Sequence, residues 1–249
     1  MTKTGLIGYG YWGKIMESKL LTLSNLQFIQ TSSTYYPEVF NTADWVFIAT
    51  PVESHYTIAK DCISKGINVF VEKPFCSTFS EAQELITLAN EKGISLYVDN
   101  VFLLRSELAN VKKQQYKTIK FYWHKNGPAN GSLINDLLYH DLYILITIVG
   151  YKSVNSLQYI TNTKDVLIFT FNYGDLKIEI DYNRVSPGEK KKILYLDNII
   201  INFANNTEDP LKTIIERCLL QEIDFESNHI LNLQTVALME NITQYMRLN

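Results

Sequence analysis

The sequence predicts an α/β protein in two parts. A shortened, doubly wound parallel sheet spans residues 1–104, and an α+β domain with an open, mainly antiparallel sheet spans 105–249. Three observations carry this reading. Short apolar runs alternate with helix-spaced segments through the first hundred residues. Trp45–Ala49 is a continuous apolar run, as in a strand covered on both faces of a parallel sheet. After about Leu104, turn-bounded alternating strands follow one another instead.

The elements follow in order. Thr4–Ile7 is a short apolar strand that runs into Gly8, Gly10 and Gly13, and Trp12–Leu23 has helical spacing. Leu26–Gln30 and Trp45–Ala49 are strands, and Glu53–Ser64 is a helix stopped before Gly66. Asn68–Val71 is a buried strand. Ser80-Glu81-Ala82-Gln83 predicts a capping box, with Ser80 as N-cap and Gln83 reaching back, for a helix that ends before Gly93. Ser95–Val98 closes the series. In the second part Thr118–His124 is a strand, residues 126–131 a loop and Leu133–Ile148 an apolar helix. Val154–Thr161, Val166–Tyr173, Leu176–Asn183 and Lys191–Asp197 form a meander with Ile199–Phe203 attached. Leu176, Ile178, Ile180 and Tyr182 alternate with Lys177, Glu179 and Asp181, so that strand has one wet face. A helix beginning at Pro210 and another over Asn228–Met246 finish the chain.

Composition narrows the function. The chain has 249 residues, 46% hydrophobic, enough for two small cores. A net charge of −3 with no basic stripe argues against nucleic acid as a partner. The most apolar run, Leu142–Val149, is too short to cross a bilayer, and the N-terminus lacks the pattern of a signal peptide. Cys62, Cys76 and Cys218 are widely spaced, form no metal-type pair and suggest a reducing compartment, so the expected location is the cytoplasm.

The glycines have a specific reading. Gly8 permits a tight turn out of the first strand, Gly10 lets backbone approach a pyrophosphate, and Gly13 lets the helix pack on the strand. The helix N-terminus then faces the phosphates with free N–H groups. Tyr11 and Trp12 lie in the same loop. A dinucleotide site usually carries an acid at the end of the second strand. Here Gln30 is followed by Thr31-Ser32-Ser33-Thr34, whose hydroxyls, Ser32 foremost, suit a ribose or a 2′-phosphate, so NAD and NADP both remain open.

Three ionisable residues carry the chemistry. Lys73, after a buried strand and before Pro74, sits where ligands of an open α/β sheet collect, and its ammonium suits a developing alkoxide. Asp136 and His140 are one helical turn apart on an apolar helix. Histidine suits proton transfer near neutral pH, and an aspartate beside it orients it or binds a substrate hydroxyl. Asp141 and Tyr143 are secondary candidates. His55 reads as a helix-start histidine beside the cofactor without a proton role, and His124 and His229 carry no constellation.

The stretches GLIGYGYWGK (5–14), ATPVESH (49–55), VFVEKPF (69–75), VDNVFLLRSELANVK (98–112) and NDLLYHDLYILITIVG (135–150) resemble the glucose–fructose oxidoreductase / inositol dehydrogenase (Gfo/Idh/MocA) family, in its branch acting on sugars and sugar nucleotides. The resemblance implies a Rossmann domain binding NAD or NADP through Gly8, Gly10, Tyr11, Trp12, Gly13, Ser32, Thr50, Pro51, His55, Glu72 and Lys73. It implies Lys73, Asp136 and His140 as the catalytic set, a sugar or sugar-nucleotide alcohol as substrate, and a homodimer or homotetramer built on the open sheet. It departs from the family between Gln30 and Trp45, where 14 residues replace the usual helix, strand and helix, and at Tyr143, where a second carboxylate is frequent. Two functions follow: interconversion of a secondary alcohol and a ketone by hydride transfer, or a catalytically silent member that binds nucleotide or sugar as a sensor or subunit.

Overall fold

The computed structural model describes residues 1–31, 36–111, 114–125, 132–188, 190–203 and 209–248. The chain divides into two compact units, one of Met1–Val101 with Asp209–Val236, the other of Phe102–Glu208 with Ala237–Asn249.

The first unit is built on β1 (Lys3–Ile7), β2 (Asn25–Gln30), β3 (Trp45–Ile48), β4 (Asn68–Val71) and β5 (Leu96–Val98). All pairings are parallel, in the order β2-β1-β3-β4-β5. The helices α1 (Tyr11–Leu23), α2 (Val52–Ser64) and α3 (Phe79–Lys92) connect the strands. From β1 the chain steps outward to β2 and then returns to the other side of β1 as β3. The carboxyl ends of β1 and β3 therefore flank the switch point where such sheets bind ligands. β3 is buried along its whole length, as its apolar run requires.

Among the described residues between β2 and β3, a 3-10 turn over Pro37–Thr42 leads into β3. Phe40 of that turn is fully buried and stacks on Phe28 of β2, ring centroids 6.0 Å apart. The Phe28 ring in turn occupies the space a side chain at Gly5 would need. Two aromatic rings thus cover this side of the sheet.

The capping box of α3 lies two residues before the predicted one. Thr78, not Ser80, is the N-cap; its hydroxyl accepts from the Glu81 N–H while the Glu81 carboxylate takes the Thr78 N–H. Both registers fit the S/T-x-x-E/Q pattern, and the charged glutamate makes the stronger reciprocal bond than Gln83. Asp209 caps α6 (Pro210–Leu219) through the Lys212 N–H. The open edge of β5 is closed by a side chain of α7 (Phe225–Leu248): the amide of Asn228 bonds both the N–H and the carbonyl of Val98. Asn100 and Asn232 complete this buried network.

The second unit opens with the short helix α4 (Ser106–Ala109). It contains β6 (Thr118–His124), β7 (Val154–Asn162), β8 (Val166–Tyr173), β9 (Leu176–Asn183), β10 (Lys191–Leu196) and β11 (Ile199–Asn202) in the order β11-β10-β6-β9-β8-β7. Every pairing is antiparallel except β6 with β9. The predicted apolar helix is a π-helical turn, Ile134–Leu138, continued by α5 (Tyr139–Val149). Nearly every α5 side chain is buried. The helix lies on the sheet's apolar face, where the Tyr182 hydroxyl reaches Asp141 and the Tyr173 hydroxyl reaches the Gly150 carbonyl.

Candidate active site

In the first unit the glycine loop has the shape of a phosphate cradle. Gly8 has φ 98°, and a Cβ there would lie 2.4 Å from the Ala49 carbonyl oxygen. A Cβ on Gly13 would lie 2.0 Å from the Gly8 carbonyl oxygen. These two glycines permit close backbone packing. Gly10 differs: a Cβ there meets nothing within 4 Å. It is also the N-cap of α1, with no capping side chain and no acidic residue in the first turn. Donor groups without a side-chain cap, facing open space, fit a dinucleotide's pyrophosphate. Tyr11 and Trp12 are exposed at this helix start, packed edge to face.

At the end of β2 the side chain of Gln30 is spent on the backbone N–H and carbonyl of Tyr36, and its own carbonyl accepts from the Gly8 N–H. Gln30 therefore ties the end of β2 to Tyr36 rather than presenting an amide to a ribose. Ser32 lies outside the described residues.

Beyond β3, Thr50 accepts a bond from the Ser54 hydroxyl and Pro51 is the N-cap of α2. His55 is buried, its ring nitrogens 2.8 Å from the carbonyls of Pro74 and Thr50. Burial pushes its pKa down against the pull of those carbonyls, and the ring ties the segment after β3 to the one after β4.

Beyond β4, Glu72 is buried and Lys73 half-buried. Burial raises the Glu72 pKa to about 7, opposed by the Lys73 ammonium and by the Lys73 N–H that Oε2 accepts. At the neighbouring end of β5, Asp99 is likewise buried and pushed well above the carboxylate range, first by burial and then by the charge of Glu72.

In the second unit the π-helical turn presents Asp136, and α5 presents His140. Extra turns of this kind recur at functional sites because they re-aim side chains. Asp136 is half-exposed and its Oδ2 lies 2.6 Å from Nη2 of the buried Arg184. His140 is buried, its ring edge-on to Phe102 at 4.7 Å and parallel to Trp123 at 6.4 Å. Its Nδ1 lies 2.9 Å from the Tyr143 hydroxyl, whose oxygen accepts the Phe102 N–H. The hydroxyl still has a proton to donate and a second lone pair with which to accept, so it holds Nδ1 in place in either tautomer.

Behind this ring Lys192 is buried, its Nζ 2.9 Å from the Phe102 ring centroid and 3.3 Å from that of Trp123. Asp141 is fully buried and accepts from the Tyr182 hydroxyl at 2.5 Å. Burial lifts its pKa to about 7, against the Lys192 charge and hydrogen bonds from Tyr182 and Trp123.

Sequence reasoning singled out Asp136, His140, Asp141 and Tyr143 but not Arg184, Trp123, Lys192 or Tyr182. Those four come from strands whose register no local pattern reveals. His124 corrects the reading that it carries no constellation. It lies on the sheet's other face between the Tyr122 and Ser186 hydroxyls and Asp181, with Lys120 on the same carboxylate. The spacing of Tyr122 and His124, two residues apart on a strand, was the available signal.

A family model described as an oxidoreductase family with an NAD-binding Rossmann fold matches residues 24–100. The UDP-N-acetylglucosamine 3-dehydrogenase of Acidithiobacillus ferrooxidans is 22% identical over 236 residues, covering 82% of this chain and 75% of that one. The NADP-linked scyllo-inositol 2-dehydrogenase IolW of Bacillus subtilis is 27% identical over 256 residues, covering 84% and 71%. The solved structure of the WlbA dehydrogenase from Thermus thermophilus, in complex with NAD and UDP-GlcNAcA, superposes with a TM-score of 0.82 at 13% identity, covering 98% of this chain and 95% of that one. By this matched segment and these likenesses the chain is similar to the Gfo/Idh/MocA oxidoreductases, with their NAD-binding Rossmann fold over residues 24–100.

Proposed function

We propose that this oxidoreductase interconverts a secondary alcohol and a ketone on a sugar or sugar nucleotide, with Lys73, Asp136 and His140 as its catalytic residues. The cofactor, when bound, supplies or accepts the hydride. The relatives support the substrate class, since one is named for a sugar nucleotide and another for an inositol.

The observation that carries the reading is the treatment of His140. A buried imidazole has its ring held beside Phe102 and Trp123 and its Nδ1 beside the Tyr143 hydroxyl; the neutral ring keeps its proton on Nδ1, donated to that oxygen, and takes and returns the substrate's hydroxyl proton at Nε2. Lys73, at the carboxyl end of β4, donates to the reacting oxygen and stabilises it as an alkoxide. Asp136, held by Arg184, accepts from a neighbouring substrate hydroxyl.

The cofactor set follows the cradle: Gly8, Gly10 and Gly13 with the start of α1 hold the pyrophosphate, and Tyr11, Trp12, Thr50 and Pro51 line its path. The test is a screen of sugar nucleotides and inositols with NAD and NADP, following reduced nicotinamide at 340 nm, for the wild type and for Lys73→Ala and His140→Ala. Turnover in the wild type, lost in both variants with cofactor affinity retained, supports the assignment. Cofactor binding without turnover on any substrate favours the silent binder.

A further inference from the structure

At one end of the six-stranded sheet the register gathers positive charge. Lys191 pairs with His124 and Lys192 with Trp123 across β10 and β6, while Trp123 pairs with Tyr182 and His124 with Asn183 across β6 and β9. The next residues along these strands are Lys125, Arg184 and Lys190, so five cationic side chains, with Lys191 and Lys192, meet at this end. The carboxylates that α5 and its leading π-turn bring to it are Asp136 and Asp141.

These two acids are already engaged. Asp136 holds Arg184, and Asp141 faces Lys192 and the Tyr182 hydroxyl. Asp181, on the face that His124 and its partner Lys191 share, is engaged by His124 and Lys120. Lys125, Lys190 and Lys191 form no ion pair among the described residues. The three line a cavity of about 80 Å³ with Trp123, His124 and Leu137. Leu137 is the residue after Asp136, so the cavity shares a wall with the turn that carries the aspartate. Its volume is that of a few waters, room for a phosphate group.

The kind of anion follows from the donors. A carboxylate is best gripped by the planar fork of an arginine, and here Arg184 is committed to Asp136. Three lysines are separate point charges, which suit the several oxygens and the double charge of a phosphate. We propose that Lys125, Lys190 and Lys191 form a subsite for a phosphate or diphosphate group carried by the substrate. This deepens the proposed function, on which it rests for the substrate's being a sugar, and it selects phosphorylated sugars and sugar nucleotides over neutral polyols and uronic acids.

The test measures binding without turnover. Protein saturated with NADH, so that the glycine loop is filled, is titrated calorimetrically with inorganic pyrophosphate, UDP, glucose 1-phosphate, glucuronate and myo-inositol. The wild type is compared with K125Q/K190Q/K191Q and with K125R/K190R/K191R. The expected result is that the phosphate probes bind more tightly than glucuronate and inositol, and that added salt weakens them. Their affinity falls about tenfold to a hundredfold in the glutamine variant and is retained in the arginine variant. Unchanged affinity in the glutamine variant, no binding of any phosphate probe to the wild type, or equal binding of myo-inositol overturns the proposal. NADH titration and far-UV circular dichroism of each variant show that the first unit and the fold are intact. Phosphate binding that behaves as expected in a protein that turns over no sugar would sink the oxidoreductase reading and leave the subsite standing.

Discussion

The Tyr143 hydroxyl lies 2.9 Å from Nδ1 of His140, and its oxygen accepts the Phe102 N–H. A hydroxyl can donate to Nδ1 or accept from it, whereas a carboxylate only accepts. Proton transfer at Nε2 requires the neutral ring to keep its proton on Nδ1, donated to the Tyr143 oxygen. Long-range 15N–1H spectra at pH 8 should show His140 in one tautomer, protonated at Nδ1, and Tyr143→Phe should show a mixture. The same variant should lower kcat roughly tenfold with KM little changed, a part of the ~10²–10⁴ that a positioned acid–base group supplies. A wild-type ring protonated at Nε2 would refute the assignment.

The buried carboxyls give the first unit a pH-dependent stability. The Glu72 pKa is raised to about 7, mainly by burial, from an ordinary carboxylate value. A raised folded-state pKa means that the folded protein holds the proton more tightly than the unfolded chain. Its stabilising contribution is then complete below the unfolded pKa, near 4.3, and is lost as pH rises to about 7. The loss proceeds at up to about 1.4 kcal/mol per pH unit for one titrating group. Glu72→Gln keeps an acceptor for the Lys73 N–H and removes the titration. Chemical denaturation from pH 5 to 8 should show the variant's stability declining less steeply than the wild type's, with the gain greatest at pH 8. Parallel curves would mean that Glu72 ionises as freely as in water.

Much of this architecture is legible along the chain because it is local. A buried parallel strand shows as Trp45–Ala49, a one-sided strand as the alternation through Leu176–Asn183, and the phosphate turn as three glycines in six residues. The α3 cap was misplaced because two overlapping segments satisfy one pattern, and only the charge of Glu81 separates them. The surroundings of His140 were not legible. Trp123 and Lys192 meet it through pairing of β6 with β10, and Tyr182 meets Asp141 through β9, relationships set by register across 41 or more residues. The short stretch between Gln30 and Trp45 is visible in the sequence, but the stacking of Phe40 on Phe28 beside Gly5 depends on a contact between elements that no periodicity encodes.

The three loop glycines should separate when each is replaced by alanine. At Gly13 the new methyl would meet the Gly8 carbonyl oxygen at 2.0 Å, which only backbone movement relieves. Gly13→Ala should cost at least ~2 kcal/mol of stability. At Gly10 the methyl enters open space, so Gly10→Ala should melt within about 2 °C of the wild type. If that space receives the pyrophosphate, the same methyl should weaken NADH binding roughly tenfold or more, seen in the quenching of Trp12 fluorescence. Full NADH affinity in Gly10→Ala would place the cofactor's phosphates elsewhere.

Lys192 and Asp141 should behave as one element. The ammonium lies on the Phe102 and Trp123 rings, and its charge lowers the pKa of the fully buried Asp141, which burial otherwise raises. Lys192→Met fills the same volume without the charge and leaves a buried carboxylate with the hydroxyl of Tyr182 as its main partner. Without the cation the Asp141 pKa climbs further, so the cost of the substitution grows above pH 7 by up to about 1.4 kcal/mol per pH unit, the work of protonating the stranded carboxylate, and should be larger at pH 8 than at pH 6. Asp141→Asn on the Lys192→Met background removes the stranded charge and should recover part of the loss. The double variant should be more stable at pH 8 than the sum of the two single effects predicts, by about 1–3 kcal/mol for residues in one network. Strict additivity at both pH values would mean that the two charges do not sense each other, and that Lys192 is held by the aromatic rings alone.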